Sequence, residues 1–137
     1  MNSPPRILLI DDDPAGAELT IAALHELGLG RNIAVASDGE EALDYLFRRN
    51  SFSLIPDTPP SVVLLDLKMP KVDGHEVLRQ IRADSRLART HVVILTSSDQ
   101  EADIARSREL GTDAYLVKPT SIVELIEQLG QLAAHWA

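Results

Sequence analysis

The chain has 137 residues, 45% of them hydrophobic and 25% charged, which is the profile of one ordinary globular domain rather than a disordered segment. It contains no cysteine, so a disulfide framework, a thiolate metal site and a cysteine nucleophile are all excluded. A net charge of −8 repels DNA and anionic membranes, so neither nucleic acid nor a membrane is expected as a partner.

The first residues, Met1-Asn2-Ser3-Pro4-Pro5, lack a basic stretch followed by an apolar run. No signal peptide is read there, and a cytoplasmic location is expected. The apolar run Ile7–Ile10 is short and branched, as suits a strand buried on both faces of a parallel sheet. Asp11-Asp12-Asp13-Pro14 follows, and Asp13 with Pro14 reads as a helix cap and first turn. Ile33–Ser37 is less apolar and suits an edge strand. Leu43, Leu46 and Phe47 then repeat at helical spacing, behind an Asp38/Glu41 capping pair.

Residues 48–61 form a long connection with three prolines. Phe52, Leu54 and Ile55 within it are expected either to fold back on the core or to meet a partner. Val62–Leu65 is the next buried strand and ends in Asp66. Asp73 and Glu76 open a helix carrying Val77, Leu78 and Ile81. Val92–Leu95 is a further strand, followed by Thr96-Ser97-Ser98, with Ser98 and Glu101 at capping-box spacing. The helix after it, Glu101 to Leu110, has only Ile104 and Leu110 as large apolar residues and should stop at Gly111. Ala114–Val117 ends in Lys118-Pro119, and a final helix capped by Ser121 carries Ile122, Leu125, Ile126, Leu129 and Ala133. Strand and helix thus alternate five times, which predicts a flavodoxin-like, doubly wound α/β sandwich on a five-stranded parallel sheet. The expected organisation is one domain over 1–137, with its core at about 5–133 and no effector domain.

The polar residues after the strands carry the functional reading. In open parallel sheets, sites form beyond the carboxyl ends of the strands. Asp11, Asp12, Asp66, Thr96 and Lys118 should therefore converge. Two carboxylates about 4 Å apart repel by roughly 4 kcal/mol at an effective dielectric near 20, so the cluster calls for a cation. Mg²⁺ matches a set of carboxylate, carbonyl and water oxygens. A carboxylate beside it is a competent nucleophile toward phosphorus, with the Lys118 ammonium and the Thr96 hydroxyl placed for the phosphoryl oxygens.

The motifs Asp11-Asp12, Leu65-Asp66-Leu67-Lys68-Met69-Pro70-Lys71-Val72-Asp73-Gly74, Leu95-Thr96-Ser97 and Tyr115-Leu116-Val117-Lys118-Pro119 resemble the signature of receiver domains of two-component signalling. The resemblance implies Asp66 as phosphoacceptor. It implies Mg²⁺ held by Asp11, Asp12, the Asp66 side chain and the Lys68 main-chain carbonyl. Thr96 and Lys118 would touch the phosphoryl group, and Thr96 and Tyr115 would form the switch, with Tyr115 turning inward on phosphorylation. Thr120 stands where many members carry phenylalanine. The architecture, the long connection and Trp136 are similar to single-domain regulators of bacterial phytochrome histidine kinases. The implied partners are a sensor histidine kinase of that kind and a separate downstream protein. A homodimer through the fourth helix, last strand and last helix is expected as well.

An aspartate-nucleophile phosphatase of the haloacid dehalogenase type is the enzyme alternative, but it needs a carboxylate where Lys68 stands. An FMN carrier is disfavoured by the aspartates after the first strand, and a docking module that takes no phosphate by the complete set of polar residues. His25, His75, His91 and His135 lack metal-ligand spacing and read as structural or surface residues. Arg79, Arg82, Arg86 and Arg89 read as a solvated face, with docking of an acidic partner as the alternative. The Lys68 side chain is expected to lie against the phosphoryl oxygens and slow their hydrolysis.

Overall fold

The structure is a computed structural model that describes residues 6–55 and 58–136. The strands are β1 (Ile7–Ile10), β2 (Ile33–Ala36), β3 (Val62–Leu65), β4 (His91–Thr96) and β5 (Ala114–Val117). The helices are α1 (Pro14–Glu26), α2 (Gly39–Leu46), α3 (Gly74–Ala83), α4 (Glu101–Glu109) and α5 (Ile122–Ala133). The sheet is parallel throughout, in the order β2-β1-β3-β4-β5. This is the five-stranded flavodoxin-like sandwich expected from the sequence, with β2 at an edge.

Alternation along each strand divides the core in two. Ile7, Leu9, Val62, Leu64, Val93 and Leu95 pack with Leu24, Leu125 and Leu129 of α1 and α5, and with Trp136. Leu8, Ile10, Val63, Leu65, Val92 and Ile94 pack with α2 and α3 through Leu43, Leu46, Val77, Leu78 and Ile81. Among the described residues no helix is long and apolar enough to cross a membrane.

The helix starts follow local hydrogen-bond chemistry, with one correction. Asp13 accepts from the Ala15 amide, Asp38 from Glu41, Asp73 from Glu76 and Ser121 from Val123. Ser98 does not cap α4. That helix begins at Glu101 behind Gln100, which makes no side-chain cap bond. The Ser98 hydroxyl donates instead to Asp103 at 2.5 Å, so a contact inside the first turn replaces the cap. At its other end α4 stops as expected, with Gly111 at φ 93°, a conformation costly for any residue bearing a Cβ.

Three further expectations change. β4 is longer than Val92–Leu95 and takes Thr96 into the sheet, where its backbone pairs with Val117. In the 48–61 connection, Phe52 stacks edge-on against Tyr45 at 5.3 Å, whereas Leu54 is 97% exposed. Pro56 and Asp57 of that connection lie outside the described residues. The arginines are not one solvated face. Arg82 donates to the Gly111 carbonyl, the Thr90 carbonyl and Asp113. Arg86 donates to the Leu46 carbonyl, and Arg79 pairs with Glu76 on the surface. Two of the four arginines thus turn their guanidinium groups onto backbone carbonyls instead of leaving them to water.

Candidate functional site: a carboxylate cluster at the strand ends

Strand register decides which side chains meet. Ile10 is level with Leu65, so Asp11 and Asp66 leave the sheet side by side, joined by an Asp66 amide bond to the Ile10 carbonyl at 3.0 Å. Leu65 is level with Ile94, so Thr96 stands one residue farther out than Asp66. Thr96 is level with Val117, so Lys118 follows one step beyond again. The stagger sets the hydroxyl and the ammonium above the carboxylates rather than beside them.

The resulting contacts are close. Thr96 Oγ1 donates to Asp66 Oδ1 at 2.9 Å, and the Lys68 amide reaches the same oxygen at 3.3 Å. Lys118 Nζ lies 2.8 Å from Asp11 Oδ2 and 3.4 Å from Asp66 Oδ2. Asp11 Oδ1 accepts from the Asp13 amide at 2.9 Å. Burial disfavours the Lys118 charge, but the Asp11 and Asp66 carboxylates outweigh it and hold the ammonium above the usual lysine range. Lys118 is therefore a fixed cation at neutral pH.

Asp11, Asp12 and Asp66 each offer a carboxylate oxygen within 4.8 Å of the others, with Asp11 and Asp66 buried and Asp12 exposed. Lys118 offsets only one of these three negative charges. The donor set is all oxygen, with one ligand facing solvent as an entry path. A hard divalent cation fits it; a soft metal, which prefers nitrogen or sulfur, does not. Gly16 keeps the cradle open, since a Cβ there would stand 3.1 Å from Asp11 Oδ2 and 3.2 Å from Asp13 Oδ2.

The structure brings together Asp11, Asp12, Asp66, Thr96 and Lys118 from the sequence-predicted set. Two further side chains of the motifs make contacts of their own. The Lys68 ammonium is not over Asp66; it pairs with Asp103 Oδ2 of α4 at 3.3 Å. The Tyr115 hydroxyl donates to the Ser98 carbonyl at 2.9 Å, and its ring packs against the α2–α3 core. Burial pushes the Tyr115 phenol up.

Three participants escaped the sequence reading. Asp103 meets both Lys68 and Ser98, and its carboxyl is held below the usual range chiefly by the Ser98 hydroxyl. His75 Nε2 lies 3.3 Å from the Asp103 carbonyl and 3.2 Å from Ser107 Oγ, which ties α3 to α4. No local pattern points to these contacts, which join distant elements. Only the capping-box spacing at Ser98 hinted that its hydroxyl had an acidic or amide partner nearby.

Known proteins resemble this chain over most of its length. Residues 7–130 match the model of the response regulator receiver domain family. A probable methanogenesis regulatory protein, FilR2 of Methanothrix harundinacea, is 39% identical over 95% of this chain and 82% of its own. The response regulator Rcp1 of Synechocystis is 33% identical over 98% of this chain and 90% of its own. The Mn²⁺-bound crystal structure of Rcp1 superposes with a TM-score of 0.85, covering 97% of this chain and 94% of that one. The bacteriophytochrome response regulator AtBRR is 44% identical with a TM-score of 0.81, covering 99% of this chain and 97% of its own. With its carboxylates, hydroxyl and lysine set at the ends of β1, β3, β4 and β5, the chain belongs to the response regulator receiver domain family, whose members are signalling proteins.

Proposed function

We propose that Asp66 accepts a phosphoryl group from the phosphohistidine of a sensor histidine kinase, with Mg²⁺ at the carboxylate cluster. The observation that carries this reading is the pair of contacts on Asp66, from Thr96 at 2.9 Å and from Lys118 at 3.4 Å. In the transfer an Asp66 oxygen bonds to phosphorus, the phosphorus–nitrogen bond breaks, and the imidazole nitrogen keeps the electron pair. Asp11, Asp12, Asp66 and the Lys68 carbonyl would hold the metal, whose contribution when bound is to neutralise charge on the phosphoryl oxygens. Lys118 keeps its proton and supplies a second positive charge. The Thr96 hydroxyl, now on Asp66 Oδ1, would donate to a phosphoryl oxygen there and, through the Ser98 amide, links the chemistry to the backbone that follows β4. Thr96 and Tyr115 are the proposed switch, since Thr96 Oγ1 and Tyr115 both contact Ser98.

The similarity to AtBRR supports a bacterial phytochrome as the kinase. The face formed by α4, β5 and α5 is proposed to act on a separate protein or on a second copy of this chain. Val117 of β5 and Val123 of α5 are exposed, at 41% and 60%. The protein is proposed to be no turnover enzyme: at Lys68, where a phosphatase of this chemistry needs a carboxylic acid, the side chain is a cation paired with Asp103.

Intact mass after incubation with acetyl phosphate and Mg²⁺ tests the assignment. The unsubstituted chain should gain one phosphoryl group, and Asp66→Asn should gain none. A full gain in that variant would place the acceptor elsewhere.

A further inference from the structure

The Lys68 main chain and the Lys68 ammonium serve different neighbours. The amide lies on the acceptor carboxylate, at 3.3 Å from Asp66 Oδ1. The flexible stem carries the charge away to Asp103 Oδ2, also at 3.3 Å, on a helix that begins more than thirty residues later in the chain. From one backbone position the same stem can serve two anions: Asp103, or a phosphoryl group on Asp66. We propose that Asp103 is a positioning residue, which holds the Lys68 ammonium off the phosphoryl group and so makes the lifetime of the phosphoaspartate depend on where α4 lies. This inference rests on Asp66 being the phosphoacceptor.

Asp103 is built for that task. Its side chain is 18% exposed, against 64% for Lys68, so the anion is the fixed partner and the cation the mobile one. The Ser98 hydroxyl donates to the same Oδ2 at 2.5 Å. The Asp103 carbonyl faces His75 Nε2 of α3 at 3.3 Å. Ser98 in turn receives the Tyr115 hydroxyl on its carbonyl and sets its amide 3.4 Å from Thr96 Oγ1. One carboxylate therefore meets the loop after β3 and the loop after β4, and through Ser98 it is linked to the switch pair. It does so from the most lightly held helix: α4 buries only Ser107. A displacement of α4 takes Asp103 with it and leaves Lys68 one anion instead of two.

The chemical consequence follows from hydrolysis. Water forms a new bond to phosphorus while the bond from phosphorus to the Asp66 oxygen breaks. The carboxylate keeps the electron pair, and the water's proton leaves with inorganic phosphate. While Lys68 is held on Asp103, the approach to phosphorus stays open. Once released, its ammonium pairs with the phosphoryl oxygens, and its stem crowds the entering water. Coupling of this kind is reciprocal. A partner that binds α4 in a displaced position lengthens the life of the phosphoprotein, and phosphorylation in turn loosens α4.

The test compares phosphoaspartate decay in four chains after removal of acetyl phosphate, read by intact mass: unsubstituted, Asp103→Asn, Lys68→Ala and the double variant. Asp103→Asn should slow decay by roughly 1.5- to fivefold, the size expected for one exposed charge contact. The double variant should decay at the rate of Lys68→Ala, because Asp103 acts only through the ammonium. Asp103→Glu, which keeps the charge, should return most of the unsubstituted rate. Unchanged or faster decay in Asp103→Asn overturns the proposal. So does slowing that persists in the double variant, which would mark a merely structural effect on α4. If the unsubstituted chain gains no phosphoryl group on Asp66, the phosphoacceptor reading itself fails, and this inference falls with it.

Discussion

Helices α5 and α4 flank the same edge strand, yet they are held by different forces. α5 buries Leu125 and Leu129 in a core shared with Leu24 of α1, Leu64 of β3 and the fully buried indole of Trp136. α4 buries only Ser107, with Leu110 at its end partly covered. Its attachments are polar: His75 to Ser107 and to the Asp103 carbonyl, Lys68 to Asp103, and Arg82 to the Gly111 carbonyl. Apolar burial is non-directional and lost only when the element comes away. Hydrogen bonds and ion pairs have small net worth and can be exchanged for others at little cost. The side built on α1 and α5 therefore behaves as a fixed frame, and α4 as the element that moves when its polar partners change. Local openings in proteins follow the same division.

The comparison is broken most severely at Trp136. Its side chain is 2% exposed and joins the α1–α5 core from beyond the end of the last helix. Trp136→Ala should cost about 3–5 kcal/mol, because the indole leaves a cavity that the rigid frame cannot close. Urea denaturation would measure it, and a loss below about 1 kcal/mol would show that this side is not the frame proposed.

A smaller but more selective break lies at Arg82. Its guanidinium closes three bonds, to Gly111, Thr90 and Asp113 at 2.8, 2.9 and 2.7 Å, and so fastens the end of α4 to α3 and β4. Arg82→Met keeps the apolar stem and should cost about 1–3 kcal/mol, since two carbonyls and a carboxylate lose their donor. Amide exchange should rise at α4 and Gly111 and stay unchanged in α5. An equal rise in both helices would mean that the two sides open together.

The sequence reached the frame and the site by different routes. Short branched runs identify the strands because both faces of a parallel sheet are buried, and Asp11, Asp66 and Lys118 each follow such a run directly. The apolar run ends before Thr96, yet the ladder with β5 includes it, since pairing partners extend a strand beyond its apolar residues. The connections that hold α4 were not legible. Arg82 and Asp113 stand 31 residues apart, and His75 and Ser107 32. On their own, an arginine on a helix and a histidine beside a capping residue carry no periodicity and no spacing rule. Ser98 shows the same limit from the other direction. Its spacing to Glu101 satisfies a local rule, but Asp103, two residues farther on in the same turn, takes the hydroxyl.

The smallest effect is expected at Tyr115, where the two kinds of attachment meet in one side chain. The ring packs against the α2–α3 core, while the hydroxyl donates to the Ser98 carbonyl ahead of α4. Tyr115→Phe keeps the first and removes the second, so it should cost only about 0.5–1.5 kcal/mol. The burial of the phenol also gives the contrast a pH signature. Burial raises the Tyr115 phenol above its ordinary value of 10.0, and the folded chain therefore holds this proton more tightly than the unfolded chain does. Its contribution is complete below the unfolded value and is lost as pH rises through the higher folded one. Lysines also ionise in this range, but both chains carry them, so the difference in unfolding free energy between the unsubstituted protein and Tyr115→Phe isolates the phenol. That difference should be constant up to about pH 9.5 and should shrink above about pH 10.5. A difference that grows with pH would mean that the phenolate is the form the fold prefers. The hydroxyl would then not be donating to Ser98, and the link from Tyr115 to the start of α4 would have to run through the packing of its ring.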